Sequence, residues 1–227
     1  MDQKQQLEEL FDKWQSKPNH DDTFIKDGIV NLPMWIKQKP KVLFFLKEAY
    51  TDEPTGYDLA AALDNAGADF GRSQIWWRVA IWTQAVYDSI IPPQQYDERT
   101  IIGKADEIIR SISVINIKKS HGQKRSDNDD LAKFLEDDKA ELTAELNIIN
   151  PDVILCGNTL ELLKSVDFFP GIHKGKSDDY IWNDKLIINY WHPSGWGIVS
   201  NDEVNYYAIR EICRAAHYFF SISITTW

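Results

Sequence analysis

The chain has 227 residues, 43% hydrophobic and 26% charged, and 25 Lys and Arg against 35 Asp and Glu give a formal net charge of −10. That length and composition suit one well-buried core and exclude disordered, fibrous and disulfide-scaffold classes, while the charge excludes a basic face spread over the whole molecule. No apolar run approaches the roughly 20 residues of a membrane helix, and Met1–Leu10 lacks an apolar signal core, so a cytoplasmic setting is expected, with Cys156 and Cys213 as reduced, buried thiols.

From the N-terminus, Asp2–Ser16 reads as a helix, and residues 1–40 are expected to form a helical extension packed on a single domain spanning 1–227. Lys41-Val-Leu-Phe-Phe-Leu46 is short and nearly continuously apolar, the pattern of a strand buried on both faces. Helices follow over Ser73–Ser89 and Asp97–Arg110, and Ile112-Ser-Val-Ile-Asn-Ile117 is a second strand. Leu131, Phe134, Leu135, Leu142, Leu146 and Ile149 recur at helical spacing, which predicts one helix ended by Asn150-Pro151. Asp152-Val-Ile-Leu-Cys156 is the third strand, Asn158–Ser165 a short helix and Lys185-Leu-Ile-Ile-Asn-Tyr190 the fourth strand. Ser200-Asn-Asp-Glu203 has the form of a capping box, and Val204, Ala208, Ile212, Ala215 and Phe219 give the helix it opens one apolar face. Strands alternating with helices predict an α/β fold in three layers, α/β/α, around a four-stranded parallel sheet.

In an open parallel sheet the loops beyond the carboxyl ends of the strands gather along one edge, where ligands sit. That edge receives Lys47-Glu48-Ala49-Tyr50, Asn116 with Lys118-Lys119-Ser120-His121, Gly157-Asn158 and Trp191-His192-Pro193-Ser194. Taken singly, each has an ordinary explanation: Glu48 caps a helix, Asn116 ends a strand, His192 sits in a turn before proline. Together a carboxylate, a carboxamide and an imidazole form a candidate site, with Lys47, Asp52 and His121 as lesser members. Lys118, Lys119, Lys124 and Arg125 fall within eight residues and read either as a solvated loop or as a short track for phosphates.

These segments resemble the uracil-DNA glycosylase superfamily, in the branch whose first motif reads Gly-Glu-Ala-Pro-Gly. Lys47-Glu48-Ala49-Tyr50 is similar to that motif, and Val114-Ile-Asn-Ile-Lys-Lys119 with Gly122 and Arg125 is similar to the branch's Ile-Thr-Asn-Val-Val-Lys segment and Gly-Asn-Arg loop. Asn150-Pro-Asp-Val-Ile-Leu-Cys-Gly157 with Leu160, Leu162 and Leu163 matches the next strand and helix, and His192-Pro193-Ser194 the closing motif, so the likeness runs from Lys41 to about Phe219. It implies a uracil-DNA glycosylase-like fold and hydrolysis of the N-glycosidic bond of a flipped-out nucleotide, leaving an abasic site in DNA. In that reading Glu48 handles the water or the sugar cation, His192 the departing base and Asn116 the base edge, with Tyr50 beside it. Phe70 resembles an aromatic element that stacks on the base, or is an ordinary packed phenylalanine. Lys118, Lys119, Lys124, Arg125 and Ser194 would meet the DNA, and Trp196 would fill the vacated stack or pack in the core.

The iron–sulfur members of the branch need four cysteines, so two widely separated ones imply no cluster, and no metal or other cofactor is expected. Lys47 and Tyr50 stand where the family has Gly and Pro, and Gln74, Trp76, Trp77 and Arg78 offer stacking faces and donors. This points to a bulky modified pyrimidine such as glucosylated hydroxymethylcytosine, the substrate of phage-defence glycosylases to which the similarity then extends. DNA is the expected partner. The alternatives are a uracil repair glycosylase, a non-catalytic nucleic-acid-binding module and a hydrolase of free nucleosides on the same fold.

Overall fold

The computed structural model describes residues 1–20, 23–50, 55–66, 73–92, 94–195 and 201–220, with the backbone alone for 217–220. Its helices are α1 (Gln3–Gln15), α2 (Leu32–Lys37), α3 (Leu59–Asn65), α4 (Gln74–Asp88), α5 (Glu98–Gly103), α6 (Ala105–Arg110), α7 (Asn128–Asp137), α8 (Lys139–Ile149), α9 (Leu160–Ser165) and α10 (Asp202–Phe220). The strands are β1 (Ile25–Lys26), β2 (Gly28–Ile29), β3 (Val42–Glu48), β4 (Tyr57–Asp58), β5 (Ser113–Lys118), β6 (Val153–Gly157), β7 (His173–Lys174), β8 (Asp179–Trp182) and β9 (Lys185–Tyr190).

The four apolar runs are the middle of one seven-stranded sheet, order β2-β5-β3-β6-β9-β8-β7, in which β5, β3, β6 and β9 run parallel. The expectation of a four-stranded parallel sheet is therefore corrected: β2 adds antiparallel to β5 at one edge, and the β8–β9 hairpin with β7 makes the other edge antiparallel. That hairpin turns at Asn183 and Asp184, whose positive φ values of 47° and 60° are those a two-residue turn needs to match the twist of its strands. Side chains alternate across β3. Val42, Phe44 and Leu46 pack with residues of α4, α6 and α10, whereas Leu43 and Phe45 pack with residues of α1, α7, α8 and α9. Helices thus cover both faces, and the middles of the parallel strands are mostly apolar because neither face meets water there.

Three boundaries differ from expectation, each for a tertiary or local reason. The helix expected between the second and third parallel strands is two helices, α7 and α8, broken at Asp138. The Asp138 carboxylate accepts from Lys17 Nζ at 2.8 Å and Asn19 Nδ2 at 3.1 Å and meets His20 Nε2 at 2.8 Å. Burial alone would raise this carboxyl, yet the hydrogen bonds from His20, Lys17 and Asn19 outweigh it and hold the group down at about 2. The segment Asp97–Arg110 is likewise split into α5 and α6, at Lys104 after Gly103. At α10 the cap is Asn201, whose Oδ1 accepts from Val204 N at 3.1 Å; Ser200 lies outside the described residues.

Residues 1–40 are more than a helical extension. They supply β2 to the sheet, and α1 buries Leu7, Phe11 and Trp14 in the core on one face of that sheet. Both cysteines are free and buried, and burial pushes each thiol up to about 12. Among the described residues, no helix is long and apolar enough to cross a membrane.

Candidate active site at the carboxyl edge of the sheet

Glu48 is the last residue of β3 and stands in register with Lys118, the last of β5; two residues earlier Leu46 stands in register with Asn116. Glu48 and Asn116 therefore project from the same face at the carboxyl edge. His192 follows β9 by two residues. All three line one cleft of about 270 Å³, together with Tyr50, Trp76 and Lys124. A wider groove of about 990 Å³ lies elsewhere, lined by α4 and α5 residues with Gln94, Gln95, Tyr96 and Tyr206, and it holds none of these three groups.

The Glu48 side chain is 3% exposed, its Oε2 lies 3.9 Å from Lys118 Nζ, and its Oε1 is buried with no hydrogen-bond partner among the described residues. A buried carboxylate oxygen left open costs free energy unless something absent from the protein itself satisfies it. The loop after β5 closes over this group by way of Gly122, whose N–H donates to Ala49 O at 2.8 Å. A Cβ at Gly122 would sit 2.6 Å from Glu48 Cγ and 2.8 Å from Ala49 O, so only glycine allows the approach. Gly157 does the same for the neighbouring turn, since a Cβ there would come within 2.6 Å of Leu46 Cδ2 and 3.6 Å of His192 Cδ2.

His192 is fixed from its own turn. Ser194 N lies 3.2 Å and Ser194 Oγ 2.7 Å from His192 Nδ1. A backbone N–H can only donate, so Nδ1 is the acceptor and the neutral ring carries its proton on Nε2. Burial, reinforced by the charge of Lys47, lowers this imidazole to about 4. The turn is anchored from below by Arg78, 2% exposed, whose Nη1 donates to Pro193 O at 2.8 Å and Gly195 O at 2.6 Å, with Nε 3.7 Å from Asp202 at the start of α10.

Compared with known proteins, the chain matches no family model and no curated protein.

The remaining expected residues divide as follows. Tyr50, Lys124 and Ser194 line the cleft, and Arg125 is exposed on the same loop without lining it. Tyr50 rests near His121, ring centroids 5.6 Å apart. Lys47 projects from the opposite face of β3 and donates to Asn128 Oδ1 at 3.2 Å. Phe70, Trp196 and Asp52 lie outside the described residues.

Lys119 is corrected as a DNA contact: it is fully buried, paired with Asp27 and, at 2.7 Å, with Glu145 Oε2. Lys118 is corrected likewise, because its ammonium is nine-tenths buried and bound to Asp130 Oδ2 at 2.6 Å over the ring of Phe134. Neither can reach a phosphate without giving up its carboxylate partner. Arg78 is corrected as a ligand donor, being spent on the His192 turn. Sequence reasoning missed Asp27, whose carboxylate holds Asn116; an acidic residue inside the apolar stretch Phe24-Ile-Lys-Asp-Gly-Ile-Val30 was its signal. It also missed Gln123 and Ser126 on the cleft wall, which nothing in their polar loop distinguished. Among the described residues, no group of three or more His, Cys, Asp and Glu side chains is placed to hold a metal ion.

Proposed function

We propose that the protein is a monofunctional DNA glycosylase of the uracil-DNA glycosylase-like kind, acting on a bulky modified pyrimidine such as glucosylated hydroxymethylcytosine. One observation carries the reading: Glu48 presents a buried carboxylate oxygen, unpartnered among the described residues, in a cleft it shares with Asn116 and a histidine that is neutral above about pH 4. Cleaving the bond between sugar and base puts positive charge on the sugar and sends the electron pair out with the base. A neutral imidazole with its proton on Nε2 donates to the base oxygen on which that charge develops, and costs little reorganisation because its turn is already fixed. A carboxylate stabilises the sugar cation, orients a water for attack on the anomeric carbon and takes the proton the water gives up. The departing base acquires its proton from solvent.

Asn116 offers hydrogen-bonding groups to the base edge. Tyr50 and Trp76 supply stacking faces at the cleft, and Gln123 and Ser126 supply polar groups suited to a substituent larger than a methyl. Lys124 and Arg125, exposed on the loop beside the cleft, remain as phosphate contacts.

The test is a panel of DNA duplexes carrying uracil, hydroxymethylcytosine, its glucoside or no modification, scored for strand breaks after alkali. Breaks in the glucosylated duplex and not in the unmodified one are expected. Efficient cutting of the uracil duplex alone would replace the substrate with uracil. No breaks in any duplex, with the DNA still bound, would leave a binding module.

The neutral histidine has its own expected signature. In an unfolded chain His192 takes up a proton near pH 6.5, whereas in the fold it does so only near 4. Between those values the unfolded state holds more protons, so this group makes stability fall as the pH drops from 6.5 towards 4. A His192→Gln variant should lack that component, and the NMR titration of the His192 ring should show a midpoint near 4. A midpoint near 6.5 would refute the neutral state.

A further inference from the structure

Two N–H groups of Asn116, the backbone N and one hydrogen of Nδ2, donate to the same oxygen, Asp27 Oδ2, at 2.8 and 3.1 Å. Asp27 is itself buried, and its other oxygen accepts from Lys119 Nζ. Lys119 is enclosed by the rings of Phe11 and Trp14 and by Glu145. Burial, together with the charge of Asp27, raises the Glu145 carboxyl well above its ordinary range.

This arrangement fixes more than the place of Asn116. Because Oδ2 also sits on the backbone N of Asn116, the amide hydrogen it takes is the one on the Cβ side of the carboxamide. The outer edge, Oδ1 beside the second Nδ2 hydrogen, is left for the cleft. A half-turn of the amide would set Oδ1 against the Asp27 carboxylate, acceptor against acceptor, with no hydrogen between them.

We propose that Asp27 is a positioning residue that holds the carboxamide of Asn116 in one of its two orientations, so that the cleft presents an acceptor and a donor in a fixed order. The order matters because pyrimidine edges differ in it. Passing from the substituent on C4 to N3, a cytosine offers a donor and then an acceptor, whereas a uracil offers an acceptor and then a donor. An amide free to turn would satisfy both; a held one favours one of them, by the about 1–3 kcal/mol typical of a bidentate contact, roughly fivefold to 150-fold. The identity of the ligand rests on the glycosylase reading. The held orientation does not.

Two measurements test this. With 15N-labelled asparagine, one Nδ2 hydrogen of Asn116 in the unmodified protein should exchange with solvent far more slowly than those of the exposed Asn147 and Asn158. That protection should disappear in Asp27→Asn. Equal, rapid exchange of both hydrogens in the unmodified protein would overturn the proposal whether or not any DNA is cut, and would do so even if the variant failed to fold. In the second measurement, duplexes carrying glucosylated hydroxymethylcytosine or glucosylated hydroxymethyluracil differ only along the edge in question. The protein should release one base at least roughly fivefold faster, and Asp27→Asn should bring the ratio close to one by slowing the preferred base, as Asn116→Ala should too. In Asp27→Asn one amide oxygen cannot accept from both Asn116 and Lys119, so the carboxylate that holds the carboxamide is lost and neither orientation is enforced. A folded Asp27→Asn protein with an unchanged ratio would overturn the positioning role. Slow exchange in a protein that cuts neither duplex would sink the glycosylase reading and leave the held amide in place.

Discussion

Replacing Lys119 by methionine is expected to destabilise the fold by roughly 3–5 kcal/mol, the cost of removing one partner from a buried ion pair. The ammonium is fully buried between Asp27 and Glu145. Methionine fills a similar volume between the rings of Phe11 and Trp14, so the loss isolates charge from packing. Without Lys119, Asp27 keeps the hydrogen bonds from Asn116 but loses the cation it is paired with in the core. A large drop in the urea midpoint at pH 7 is the outcome to look for. Lys119→Glu would crowd three carboxyl groups into one buried space and should give no folded protein at neutral pH. If Lys119→Met melted with the unmodified protein, the cluster would contribute nothing to stability.

Glu48→Gln is expected to slow base release by roughly a hundredfold or more, the scale of losing one preorganised electrostatic group. The change is nearly isosteric, and Glu48 gives its neighbours little to lose: among the described residues Oε1 has no partner, and Lys118, 3.9 Å from Oε2, is already bound to Asp130. Stability should therefore hold or rise, since a buried charge without close hydrogen bonds is removed. Single-turnover cleavage measured beside thermal unfolding separates the two effects. Unchanged cleavage in a folded variant would remove Glu48 from the chemistry.

The middle of the sheet could be read directly, because Val42–Leu46, Val153–Cys156 and Leu186–Ile188 are apolar on both faces, Val114–Ile117 is so except for Asn116, and no helix pattern competes for them. Its edges could not. β2 and β7 have two residues each and β8 four, too few for a period to emerge, and their pairing depends on strands far away in sequence. Helical spacing across Leu131–Ile149 was real, yet it is blind to Asp138, whose partners Lys17, Asn19 and His20 come from another part of the chain. Glu48, Asn116 and His192 could be placed on one edge because parallel strands put their carboxyl ends there. Lys118 and Lys119 misled for a related reason. They follow a strand and open a basic loop, which reads as surface, and only the fold shows that carboxylates from β2's flank, α7 and α8 have already claimed them.

The Asp27 contacts also bear on the order in which the molecule assembles. Asn116, Lys119 and Glu145 belong to a stretch that runs from β5 through α7 and α8, so they can come together locally and early. Asp27 reaches Asn116 across 89 residues of chain and Lys119 across 92. Contacts of such long sequence separation form late, after the loop entropy of closing them has been met. Until the short strand beside Asp27 docks, the sheet can be largely built while the recognition amide still turns freely and a lysine waits buried beside a single carboxyl. Competence for a ligand should consequently lag behind the appearance of secondary structure during refolding, and arrive with the closing of that one edge.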